Sequence, residues 1–559
     1  MIKTDLAIPP MTEERDSADG AGVPHLSRRS FLETIGVSAA LATVGAGLPG
    51  CGDGAGAAET PAEERRQASR SVRNTCADLA FDRPLPEHLS NGEEIDYPHV
   101  ANFSKGLPHN DLGEADPNAY AALLAALKSG SKEDFEAIPL GGQRRLRNPQ
   151  AGLAFDLEGP DSHHLAIRPA PRIDGPENSS EMAELYWMAL ARDVNFTDFE
   201  TDSLIGQAAD DLSGFVDFRG PKQDGRVTAA TVFRGITPGD VVGPYLSQFL
   251  LKDIPYGTLT IHQRQKTVLP QVEYLTEYDA WLRIKKGFNP SSPDAFDPTS
   301  RYIRNGRDLA AYVHLDALYE AYLNACLILL GIGAPFDAGN PYRSLNKTDA
   351  FATFGGPHIL SLVTEVATRA LKAVWYQKWF VHRRNRPEEF GGRIHNHLTG
   401  AATYPINAEI LDSAALEQVF SKFGSYLLPQ AYPEGSPLHP AYGAGHATVA
   451  GACVTILKAW FDESFVIPEP VVPNADGTAL LPYTGSDADA LTVGGELNKV
   501  AANIATARNF AGIHWRTDYS ESITLGEAVA IGILEEQRIM YNEEHSFTLT
   551  KFDGTVVTI

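Results

Sequence analysis

Cysteine is scarce: four residues in 559, at positions 51, 76, 326 and 453. No two of them have the spacing of a metal site, and no disulfide framework is visible. Cys326 and Cys453 sit in apolar helical patterns, which reads as two small buried hydrophobes. Basic charge is also short. Lys and Arg number 47 against 71 Asp and Glu, a formal net charge of -24. That balance argues against nucleic acid or an anionic membrane surface as the main partner, but not against a small anion that reads only its local field. No apolar run is long enough for a transmembrane span. No glycine pattern of the dinucleotide or P-loop kind opens a helix, no internal repeat is visible, and strand signals are few and short.

What is present begins with an address. "SRRSFLETIGVSAALATVGAGLPGC" couples Arg28 and Arg29 to an apolar stretch from Ile35 to Leu48. This fits an export signal of the twin-arginine type, with Glu33 where a basic residue is more usual. Leu48–Cys51 resembles a lipoprotein processing site, with Cys51 as the lipidated residue. Residues 1–51 are thus expected to be an export signal and 52–75 a Gly/Ala/Glu/Arg tether. Residues 76–559 should form a helical body destined for the periplasm or the exterior. Hydrophobic residues make up 43% of the chain, enough for a well-buried core.

Helical periodicity covers 116–130, 178–195, 271–285, 302–330, 358–384, 413–422, 446–461, 496–507 and 518–541. The last fifteen residues alternate around Asp553-Gly554, which reads as a small hairpin. The fold class that follows is mainly α: a large helical bundle with Pro/Gly-rich connections and a C-terminal β-hairpin.

Three segments within 370–518 hold the candidate chemistry. In "ALKAVWYQKWFVHRRNRPEEFGG", Lys378 and His382 stand one turn apart. Arg386 precedes Pro387, which places it near a helix C-terminus; Arg383 and Arg384 read as a solvated basic face. In "YPEGSPLHPAYGAGHATVAGA", His439 and His446 lie seven positions apart, and Gly443–Gly445 open a helix whose free N–H groups suit an anion. In "TARNFAGIHWRTDYSES", Asp518 follows His514 by four, on one helical face, and can hold its Nδ1–H so that Nε2 is left as nucleophile or ligand. Together these give a lysine, two arginines, two histidines and a glycine turn, a set that suits a tetrahedral or trigonal-bipyramidal oxyanion and would repel a metal cation.

The order Lys378-x7-Arg386-Pro387, then Gly445-His446, then Arg508-x5-His514-x3-Asp518 resembles the vanadium-dependent haloperoxidases, which share their core with type 2 phosphatidic acid phosphatases and bacterial acid phosphatases. The seven-residue spacer, His439, and flanks such as "GPYLSQFLLKDIPYG" and "GRDLAAYVHLDALYEAY" are similar to the algal bromoperoxidase branch. The resemblance implies vanadate held by Lys378, Arg386, Gly445, His446, Arg508 and His514, with His514 bonded to vanadium. It implies His446 as acid–base, tuned by His439, Asp518 as orienting group, Lys378 as polarising group and Trp375 as an aromatic lining residue. Hydrogen peroxide, a halide (bromide or iodide) and a small organic acceptor are the implied partners, in a homo-oligomer. Calcium occurs in some relatives, but its ligands cannot be matched here. The alternative on the same anatomy is an exported phosphatase with His514 as nucleophile. Two positions depart from the family pattern: Ala444 and Ala507 stand where serine is usual.

Overall fold

The computed structural model describes residues 60–559. The expected export signal and Cys51 lie outside the described residues. Of the expected tether, residues 61–75 are instead the first part of the helix Pro61–Asp82. Thr60 starts it with a reciprocal cap: its amide donates to Glu63 Oε2 (2.8 Å) and its hydroxyl oxygen accepts the Glu63 amide (3.3 Å). Composition alone read this Glu/Arg/Ala stretch as loose, although each of those residues favours a helix.

Residues Ala68–Ile559 form one compact unit. At its centre, Gly445–Trp460 packs against Arg516–Gln537, Gly356–Tyr376 and Val493–Phe510. Two glycines make the closest pair of helices feasible. A Cβ on Gly451 would lie 2.0 Å from the Ile523 carbonyl oxygen, and one on Gly526 2.0 Å from that of Thr448. Gly445–Trp460 is buried almost throughout, which explains its Ala/Gly/Val composition: small side chains let helices approach from several sides. Cys326 and Cys453 are buried and free, as expected of small core hydrophobes.

Sheet is limited to antiparallel two-stranded hairpins among the described residues. Thr548–Thr550 pairs with Val556–Thr558, Leu549 opposite Val557, and is the expected C-terminal hairpin. Its turn uses Gly554 at φ 83°, and Asp553 Oδ1 accepts the Thr555 amide.

The helices expected at 116–130, 178–195 and 413–422 appear as Pro117–Ser129, Pro176–Leu190 and Ala414–Phe423. Two expected helices differ. Of 271–285, only Tyr278–Lys285 is helical, because Tyr274 and Gln430 exchange backbone hydrogen bonds at 2.9 Å. The 302–330 segment is two helices, Gly306–Tyr312 and Glu320–Gly331. The break between them carries Val313, His314 and Asp316, and each meets a residue of the site or its lining.

Candidate active site

The helix Gly356–Tyr376 runs into a π-helical turn, Gln377–His382, that ends at Arg383 in the left-handed region (φ 44°). Such a turn re-aims side chains relative to a regular helix. Lys378 points inward and is fully buried. Its Nζ donates to the carbonyls of Pro440 (2.7 Å) and Ala441 (2.9 Å) and lies 5.8 Å from the Trp375 ring centroid. Burial first, and then the charge of Arg386, hold its pKa well below the usual lysine range.

Arg386 does not end a helix. It is the N-cap of Pro387–Leu398, with Pro387 at the first helical position, where a missing N–H costs nothing. Its amide donates to Glu389 Oε2 (3.0 Å). Its guanidinium spans the site. Nε and Nη2 donate to the His439 carbonyl (3.0 and 2.9 Å), Nη2 also meets His439 Nδ1 (2.9 Å), and Nη1 donates to Ile513 O (2.8 Å) and His514 Nε2 (2.9 Å). Burial brings its pKa down to about 9. The expected solvated face is absent. Arg384 is buried, stacked 4.4 Å from the Trp515 centroid and paired with Glu181 (2.9 Å) and Asp518 (3.2 Å). Arg383 is partly buried and paired with Glu94 (2.6 Å).

The glycine turn precedes a helix start as expected. Ala444 is the N-cap of Gly445–Trp460, so the amides of Gly445, His446 and Ala447 have no acceptor within the helix. A Cβ on Gly445 would sit 3.3 Å from the Trp375 indole, so glycine keeps this amide uncovered. His446 is partly exposed, and its Nε2 lies 3.2 Å from Asp316 Oδ1. Burial lowers its pKa, while Asp316 works in the opposite direction. The His439 ring packs 4.8 Å from that of Trp375. Burial, Lys378 and Arg386 keep it neutral. His382 stays outside this set: it is buried edge-on against Tyr442, with its pKa pushed down to about 3.

Arg508 stands in the last turn of Val493–Phe510. Its Nη1 donates to Val313 O (2.7 Å), the guanidinium lies 5.6 Å from the Tyr432 centroid, and Nε is buried without a partner. Gly512, at φ 81°, turns the chain, and His514 follows. The expected shared helical face for His514 and Asp518 is not what the structure has. His514 precedes the helix Arg516–Gln537, and Asp518 is its third residue. Asp518 Oδ2 reaches back to accept the Trp515 amide (3.1 Å) and His514 Nδ1–H (2.6 Å). With Nδ1 protonated and Arg386 donating to Nε2, the Nε2 lone pair faces the arginine. Burial raises the Asp518 pKa to about 6 and, with the three cations nearby, keeps His514 neutral.

Fold and geometry thus bring Lys378, Arg386, His439, Gly445, His446, Arg508, His514 and Asp518 to one place. The charged groups of Lys378, Arg386 and Arg508 contact carbonyls and imidazoles, and no carboxylate pairs with them among the described residues. An oxyanion fits this donor set. It would neutralise the buried cations, occupy the unpartnered Arg508 Nε, and take the Gly445 amide. The sequence reading missed Asp316 and Arg384. A carboxylate inside the apolar run "VHLDALY" was the signal for the first; nothing in the sequence separated Arg384 from Arg383. The cluster Asp161, His163 and His164 is the one group of cation-ligating side chains found among the described residues. It shares no residue with the oxyanion donor set, its His164 Nδ1 already accepts the Asp161 amide (3.2 Å), and two imidazoles make a poor calcium site.

A family model for the VCPO second helical-bundle domain matches residues 359–542, the segment that holds the whole cage. The chain is 40% identical to the vanadium-dependent bromoperoxidase of Corallina officinalis, over 89% of this chain and 99% of that protein. It is 35% identical to the vanadium-dependent bromoperoxidase of Ascophyllum nodosum, over 89% and 93%. The homohexameric structure of the second vanadate-dependent bromoperoxidase of A. nodosum superposes with a TM-score of 0.85 at 31% identity, covering 94% of this chain and 95% of that one. With cage, helical body and nearly full-length likeness in agreement, the chain belongs to the vanadium-dependent bromoperoxidase family.

Proposed function

We propose that this protein oxidises bromide or iodide with hydrogen peroxide, giving a hypohalous acid equivalent that halogenates small organic acceptors, with vanadate as its cofactor. The observation that carries the reading is a buried cationic cage without a carboxylate partner, facing a neutral histidine. In balance, peroxide, halide and a proton give hypohalous acid and water. Bound vanadate would supply Lewis-acid activation of peroxide at a constant oxidation state, a chemistry that asks nothing of the free, buried Cys76, Cys326 and Cys453.

The chain's own residues then have distinct tasks. His514 Nε2 is the ligand, and Asp518 fixes its tautomer. Lys378, Arg386, Arg508 and the Gly445 amide balance the oxyanion's charge. Lys378, held low in pKa, is also placed to polarise an oxygen. His446 takes and returns a proton at Nδ1, while its Nε2–H donates to Asp316, which sets the ring's orientation and tautomer. His439 and Trp375 close one side of the cage. Export through the Arg28–Arg29 segment and assembly into a homo-oligomer belong to the same proposal; the superposable A. nodosum enzyme is homohexameric.

The test is a peroxide- and bromide-dependent halogenation assay on metal-stripped protein, before and after vanadate, with a phosphomonoester assay alongside. Activity should return with vanadate and fall when phosphate competes. Restoration by iron or haem but not by vanadate would overturn the proposal.

A further inference from the structure

Ser522 has no part in the anatomy above. It lies on the helix Arg516–Gln537, one turn after Asp518, and is fully buried. Its Oγ accepts the Ala444 amide at 2.8 Å. Room for this contact comes from the turn itself, since a Cβ on Gly443 would lie 2.3 Å from the same oxygen. On its other side Ala444 is equally tied: its carbonyl accepts the Thr448 amide (3.0 Å) and the Thr448 hydroxyl (2.8 Å).

These bonds fix the peptide that matters for anion binding. In a trans peptide the C=O and the following N–H point in opposite directions. With the Ala444 carbonyl drawn down the helix by Thr448, the Gly445 N–H is directed out of the helix start. Ser522 fixes the preceding peptide, and so pins both dihedrals of Ala444. The adjacent residues are glycines, which have little intrinsic stiffness. The close approach of Gly445–Trp460 to Arg516–Gln537, through Gly451 and Gly526, is what brings the serine under the turn.

We propose that Ser522 is a positioning residue for the oxyanion site. By holding the Ala444 amide it locks the Gly445 N–H toward the anion, and it joins the turn that carries His446 to the helix start that carries Asp518. This rests on the oxyanion reading of the site and adds a residue to it.

The test compares Ser522→Ala with Thr455→Val. Thr455 is a buried hydroxyl lower on the helix Gly445–Trp460, bonded to the Gly451 carbonyl at 2.7 Å and remote from the turn. Vanadate affinity of the metal-stripped proteins is measured by titration, with Tm recorded for each. Ser522→Ala should weaken vanadate about tenfold, the effect of losing one well-placed hydrogen bond, whereas Thr455→Val should lower Tm and leave affinity within twofold. Unchanged affinity in Ser522→Ala, or equal weakening in both variants, would overturn the assignment. A third arm needs no mutation and no vanadate. Amide exchange at Ala444 in the parent should be slow, and exchange as fast as in an open loop would also overturn it. A parent that failed to take up vanadate would instead count against the oxyanion reading, while the exchange arm still decides the tie.

Discussion

Two buried lysines on either side of one helix start behave as opposites. Lys105 and Lys378 are both fully buried. Lys105 holds both oxygens of Glu388 at 2.8 Å and adds the Glu434 carbonyl at 2.9 Å. Nearby, Lys285 is paired with Glu389. Glu388 and Glu389 are the second and third residues of Pro387–Leu398, and Arg386 is its cap. One turn of chain therefore separates a neutralised network from a cage of unneutralised cations. A buried cation with a carboxylate is internally satisfied, and its role ends with the fold. One that has only carbonyls lacks a counter-charge, and a ligand can supply it.

The largest expected effect tests what the cage is built around. His514→Ala removes the imidazole nitrogen assigned as the ligand, so activity should vanish through lost vanadate uptake. His446→Ala keeps the cage. It should bind vanadate more weakly and lose turnover by roughly 10²-fold or more. Vanadate affinity set against turnover at saturating vanadate separates the two. If His514→Ala bound vanadate like the parent, the roles assigned to the histidines would be reversed.

The lysines themselves come next. Lys105→Met leaves Glu388 buried without its partner and should destabilise the protein by about 3–5 kcal/mol. Lys378→Met leaves two carbonyls without a donor but removes an uncompensated charge. Its cost to the empty protein should stay below about 2 kcal/mol, while vanadate affinity falls about tenfold or more. Denaturant melts with and without vanadate measure both. Equal destabilisation by the two would break the comparison.

A smaller effect is linkage to pH. The Lys378 pKa is depressed by burial and Arg386, and that of Arg386 lies at about 9. An anion in the cage favours both charged forms and raises both values. Binding should therefore take up protons, and affinity should decline as pH rises through the depressed pKa values of Lys378 and Arg386. Calorimetry in buffers of different protonation enthalpy, after subtracting the oxyanion's own protonation, gives the sign; net proton release would contradict it. On the acid side, Asp316 raises the His446 pKa. Asp316→Asn should lower it, and the acid limb of the activity profile should move to lower pH.

Chemistry and body plan were legible in the sequence because they are carried by local signals. The spacing of Lys378, Arg386, Arg508 and His514, and the glycines before His446, survive as text. What stayed illegible depended on partners distant in the chain. Arg383 and Arg384 are neighbours of identical type, yet only Arg384 meets Glu181 and stacks on Trp515. Pro387 was read as a stop, while the structure uses it as a start with Arg386 as cap; the tripeptide Arg-Pro-Glu allows either, and packing decides. The break at 313–319 could not be read from periodicity, because the apolar pattern continues through it while Asp316 turns to His446. Ser522 was invisible for the same reason, since its partner lies 78 positions away.

The smallest effect concerns Ala444. Alanine is a poor N-cap, and no side chain caps the start of Gly445–Trp460. A serine here has two uses. Its oxygen can accept an amide of the first turn, which should stabilise the empty protein by about 1 kcal/mol. Its proton can be donated to the oxyanion, which should tighten vanadate by a similar amount. The two uses do not compete, since one takes a lone pair and the other the hydrogen. Ala444 is buried, so the added oxygen must fit a closed site whose amide is already tied to Ser522. Ala444→Ser should raise the Tm of the vanadate-free protein by a few degrees and lower the vanadate Kd about fivefold. A gain in Tm with unchanged Kd would mean that position 444 faces the helix rather than the anion. A loss in both would mean that the turn, held by Ser522, has no space for a second hydroxyl.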